Sequence, residues 1–138
     1  MKIEELSIGD WVVAKLAKWE SDDADTTPPL RVKRIDGIER HNLYVDLFNP
    51  ATNTIEHTAF VEDLIPIPLT PEILEKNGFV KAELATVIEW YHWRDVFIGF
   101  KDGLIYTSIN GREIWGMRHV HQLQHALRLA GIEKEIEV

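Results

Sequence analysis

Two dipeptides constrain this chain more than anything else in it: Asp102-Gly103 and Asn110-Gly111, each set between apolar-rich runs. Such pairs form two-residue hairpin turns, because Asp or Asn followed by Gly tolerates the positive φ that both central positions need. They predict three antiparallel strands, Val96–Lys101, Leu104–Ile109 and Arg112–Arg118. They also fix the register, since a slip of one residue would turn every side chain to the other face. In that register Val96, Ile98, Phe100, Ile105, Ile109 and Ile114 share one face, which must be core. Gly99, Tyr106 and Trp115 line up on the other. If Arg94-Asp95 is a further tight turn, Trp90 joins that row across Gly99.

Helix signals bracket the meander. Thr70-Pro71-Glu72 is a helix start, with Thr as N-cap, Pro at the first position and an acid in the first turn. Asn77-Gly78 ends that helix, Gly78 taking the left-handed position and Phe79 folding back on Leu74. A second helix is expected over about Val120–Ala130. Val120, Leu123, Ala126, Leu127 and Ala130 fall within one arc, and His121, Gln124, His125 and Arg128 fall on a polar side. Gly131 and Ile132 repeat the closing device, and the tail alternates Ile136 and Val138 with Glu135 and Glu137, as an edge strand or a frayed end would.

The first half carries strand patterns without helix signals: Trp11–Leu16, Leu30–Ile35, Leu43–Phe48 and Ile55–Val61. Strands at this spacing predict a small twisted antiparallel β-barrel. The expected architecture is therefore α+β and mostly antiparallel. Residues 1–68 form a barrel-like subdomain, and 69–138 supply a short helix, a β-meander and a C-terminal helix packed on the first. Pro66-Ile67-Pro68 reads as the extended linker between them.

Composition narrows the function classes. The chain has 138 residues and no Cys, which excludes a disulfide scaffold, a thiolate nucleophile and iron–sulfur ligation. The net charge of −8 disfavours non-specific nucleic-acid binding. The charge is uneven: residues 1–69 hold 7 basic and 13 acidic side chains, and residues 70–138 hold 8 and 10. No apolar run is long enough to span a membrane, and the start Met1-Lys2-Ile3-Glu4-Glu5 lacks a signal-peptide pattern, so a cytoplasmic location is expected. Gly-rich phosphate loops and Gly-x-Ser-x-Gly elbows are absent, and no cofactor is expected.

Three features could carry chemistry. His119, His121 and His125 place two imidazoles four residues apart on a helix, a metal-ligand spacing. In His121-Gln122-Leu123-Gln124-His125, however, Gln122 stands where a zinc protease needs its Glu, and Arg128 lies between the two His on the wheel. A solvated polar helix face is the default there, and no metal is assigned. Arg112, Arg118 and Arg128 with the same histidines make a locally basic stretch, opposed only by Glu113 over residues 112–128, that could take a phosphate or carboxylate. The row Trp90, Tyr106, Trp115, with Phe97 nearby, is a stacking or docking surface if exposed, and a seam between the two halves if buried. Elsewhere, the acidic loop Glu20, Asp22, Asp23, Asp25 lacks the Gly and terminal Glu of a calcium loop. Arg31, Lys33 and Arg34 read as a surface strand.

The run Leu64-Ile65-Pro66-Ile67-Pro68-Leu69-Thr70-Pro71-Glu72-Ile73-Leu74-Glu75-Lys76-Asn77-Gly78-Phe79, together with Val120-His121-Gln122-Leu123-Gln124, resembles a family of small gut-bacterial proteins from prophage or mobile-element neighbourhoods. The resemblance spans most of the chain, including Ile8-Gly9-Asp10-Trp11-Val12. It implies a layout of small barrel, short capped helix, sheet and helix, and no activity. Relatives often lack a His at position 125, and the Trp19–Pro29 insertion is atypical. The expected role is non-enzymatic: a phage-related protein-interaction or accessory protein, binding a protein partner or itself. The alternatives are a single-stranded nucleic-acid or anion binder built on Arg112, Arg118, His121, His125 and Arg128, and then a metal-dependent enzyme.

Overall fold

The computed structural model describes residues 1, 5–17, 25–39 and 42–138, with backbone only for residues 37–39 and 42. The chain divides into two compact units, Met1–Ile67 and Pro68–Val138.

The first unit is a five-stranded antiparallel sheet of β1 (Trp11–Ala14), β2 (Leu30–Glu39), β3 (Asn42–Asn49), β4 (Thr54–Phe60) and β5 (Leu64–Pro66), in the order β4-β3-β2-β1-β5. The expected barrel does not form: among the described residues the ladder ends on β4 and β5, and the sheet stays open. Closure needs two long tilted edges in staggered register. Here one edge is three residues long, and its Pro66 has no N–H to offer. A 3₁₀ turn, Val61–Asp63, carries the chain directly from one edge to the other. Part of what reads as linker is therefore strand, since Val12, Val13 and Ala14 pair with Pro66, Ile65 and Leu64. Alternating residues of these strands make the core, with Val12, Ala14, Leu30, Val32, Val45, Leu47 and Leu64 buried together.

The basic strand finds local partners. A bulge between Val32 and Arg34 exposes both Lys33 and Arg34. Arg31 Nε donates to the Gly9 carbonyl at 2.8 Å, and its guanidinium lies over the Trp11 ring. Lys33 lies over Phe48, and Arg34 pairs with Asp36 at 2.6 Å. Of the acidic loop, Glu20, Asp22 and Asp23 lie outside the described residues.

The second unit begins with α1 (Pro71–Lys76), capped by Thr70, whose Oγ1 accepts the Ile73 N–H at 3.3 Å. Its end is a Schellman closure: Phe79 N–H reaches Leu74 O and Gly78 N–H reaches Glu75 O. A second sheet follows, built from β6 (Val80–Lys81), β7 (Glu89–Trp93), β8 (Val96–Lys101), β9 (Leu104–Ile109) and β10 (Arg112–Ile114), in the order β10-β9-β8-β7-β6. Arg94, Asp102 and Asn110 have φ near +50°, as their turns require. The third meander strand stops at Ile114 rather than Arg118 because Gly116 (φ +79°) bends the chain away. Val96, Ile98 and Ile109 are buried on the inner face.

Helix α2 (Val120–Leu129) closes like α1, through Gly131 and Ile132. Val120, Leu123 and Leu127 are buried, but so are His121 and Gln124, which corrects the expectation of a solvated polar face. His121 is flanked by the rings of His119 and His125, and Gln124 is covered by the tail. Residues 132–138 neither fray nor form a strand; they run alongside the polar arc, where Gln124 bonds to their backbone.

Candidate aromatic docking cleft

The candidate site is assembled by register. Trp90 pairs with Gly99, and Gly99 pairs with Tyr106, so three adjacent strands place Trp90 and Tyr106 on either side of a residue without a side chain. A Cβ at Gly99 would lie 2.5 Å from Ile88 Cγ2 and 2.9 and 3.0 Å from two carbons of the Trp90 ring. Gly99 is thus the seat into which the indole sinks. Ile114 pairs with Thr107, so Trp115 follows at the level of Tyr106, just past the end of the edge strand β10.

The three rings differ in exposure. Trp90 and Tyr106 are half-buried, whereas Trp115 is 79% exposed. Together they bound a cleft of about 270 Å³, which Ile105, Thr107 and Ser108 also line. Among the described residues Glu113 is its one charged lining residue. The aromatic surface continues on the same face, where His92 stacks on Phe97 with centroids 5.7 Å apart.

The other predicted residues are not gathered into one site. Arg118 borders a broad hollow with His119 and Lys101, but Glu89 and Asp102 line it too. Arg128 lines a different hollow and pairs with Glu135 at 3.7 Å. Arg112 lines neither and stands exposed at the start of β10. Arg118 and Arg128 thus border different hollows, each with acidic residues in its lining.

The histidines do converge. His121, 2% exposed, has the rings of His119 and His125 at 5.7 and 5.6 Å, one stacked and one edge-on. Among the described residues no group of three His, Asp or Glu side chains is placed to hold a metal ion. Gln122, which fills the position of a protease Glu, serves its own helix: Oε1 accepts the N–H groups of Arg118 and His119 at 2.7 and 2.9 Å.

Sequence reasoning missed Asn77 and Gln124, whose buried carboxamides hold the tail. Asn77 reads as a helix stop and Gln124 as surface. The alternating tail was the one hint that something must cover Gln124.

No helix among the described residues is long and apolar enough to cross a membrane. Comparison with known protein families, curated proteins and solved structures returned no match, and the expected phage association gains no support from them.

Proposed function

We propose that this chain is a non-enzymatic protein-interaction module. It takes an apolar or aromatic side chain of an extended partner segment into the Trp90–Tyr106–Trp115 cleft. The observation that carries this reading is a Trp left 79% exposed beside two half-buried aromatic rings. Large aromatics are costly to leave in water, and Trp and Tyr dominate the energetics of protein interfaces. The cleft, at about 270 Å³, falls below the roughly 300–1,000 Å³ of small-molecule sites and suits one inserted side chain. The cleft also adjoins β10, a sheet edge beside which an extended segment can lie.

Nucleic-acid stacking uses the same rings but needs cations to follow the phosphates. Among the described residues the lining supplies Glu113 and no Lys or Arg, on a chain of net charge −8. That favours a protein partner.

Selection of a displayed random-peptide library on the purified chain tests the proposal. Enriched peptides should share an aromatic or large apolar residue. They should bind Trp115→Ala about thirtyfold more weakly, as expected when truncation of a hot spot costs about 2 kcal/mol. Leu129→Ala, a change at a residue 91% exposed outside the cleft, should bind as the parent does. Retention of oligo-dT at low ionic strength with no enriched peptide would overturn the proposal.

A further inference from the structure

A carboxamide carries a donor and an acceptor side by side, as a peptide unit does, and can therefore stand in for a neighbouring strand. The second unit uses two in this way. Asn77 Oδ1 accepts the Glu137 N–H and its Nδ2 donates to the Glu137 carbonyl, both at 2.7 Å; Nδ2 also donates to Ile73 O. Gln124 Oε1 accepts the Ile136 N–H and its Nε2 donates to Lys134 O, both at 2.8 Å. Asn77 and Gln124 are 8% and 4% exposed; the Gln124–Ile136 bond is buried and the others are partly so. Ile136, between the two clamps, is fully buried.

This arrangement reads main chain rather than sequence. It demands an extended segment, an apolar residue at one position, and little else. Charge adds a preference: the segment Ile132–Val138 holds three Glu and one Lys, and the receiving surface sets Arg128 against Glu135 and Lys76 Nζ against the Val138 carbonyl at 2.7 Å. Lys134 covers the Trp93 ring at 4.3 Å. Another copy of the same segment meets every one of these requirements.

We propose that the Asn77–Gln124 groove is a strand-recognition site that accepts the 132–138 segment of a second copy of this chain, by exchange for its own. The hinge is Gly131, at φ +75° with open space around it. Intramolecular tethering gives the resident tail an effective concentration on the order of millimolar. The parent chain at micromolar concentration therefore keeps its own tail, and exchange emerges when that competitor is disabled.

Two full-length variants isolate the exchange. Ile136→Asp has an intact groove and a tail that cannot seat, while the double variant Asn77→Ala/Gln124→Ala has the reverse. Each alone should sediment as a monomer at micromolar concentration, and their mixture should give a 1:1 complex of twice the mass. Failure of the mixture to associate, with near-UV circular dichroism retained in both, would overturn the proposal. The parent chain gives a readout that survives misfolding of either variant. Concentrated toward millimolar it should pair, and a tenfold excess of synthetic peptide 132–138 should return it to monomer. A parent that stays monomeric, or pairs in a form the peptide does not reverse, contradicts the assignment.

Discussion

Gly99 matters because of what it lacks. Any side chain there must displace Ile88 or the Trp90 ring, and the ring, held in strand β7, has little freedom to give way. Gly99→Ala should destabilise the chain by about 1–3 kcal/mol in urea titration, the usual cost of overpacking. It should weaken cleft binding at the same time. Trp115→Ala should behave differently, changing stability by no more than about 0.5 kcal/mol because the ring is mostly in water. Gln124→Ala removes the partner of the buried Ile136 N–H and of the partly buried Lys134 carbonyl, and should cost about 1–3 kcal/mol. The alignment of Trp90, Gly99 and Tyr106 was legible because pleat and register are discrete. The burial of Gln124 was not, since it depends on a segment ten residues away that no periodicity links to it.

At the level of elements, the turns set the register of the second sheet. Asn110 sits at φ +52°, which Asn tolerates and Ala resists, so Asn110→Ala should lose about 1–2 kcal/mol while Asn110→Gly stays near the parent. Thermal or urea unfolding of the pair checks this. Both Schellman closures were readable as well, since Gly78-Phe79 and Gly131-Ile132 each combine a left-handed residue with an apolar one. The barrel was misread for a definite reason. Strand count and spacing describe a meander, but closure depends on the length and hydrogen-bonding capacity of its edges, and among the described residues a three-residue edge ending in Pro66 leaves the sheet open. Strand β5 itself was hidden inside a proline-rich run that signals a linker.

Across the whole molecule, the acidic excess falls mainly in residues 1–69, whereas the aromatic cleft and the tail groove both belong to the second unit. The basic stretch expected over residues 112–128 was adjacent in sequence only. Arg112 stands at a hairpin end, Arg118 after a bend and Arg128 at a helix end, with Arg118 and Arg128 bordering different hollows, and linear charge counting carries no information about that. Two of the three histidines instead pack their rings against the third. The cleft remains the surface where exposure, shape and chemistry agree. Its role is tested most directly by following the five Trp indole N–H resonances in ¹H–¹⁵N spectra while a library-selected peptide is added. The resonances of Trp90 and Trp115, assigned from Trp→Phe variants, should shift and saturate together while those of Trp11 and Trp93 stay in place. Saturable binding that leaves Trp90 and Trp115 unmoved would contradict the account.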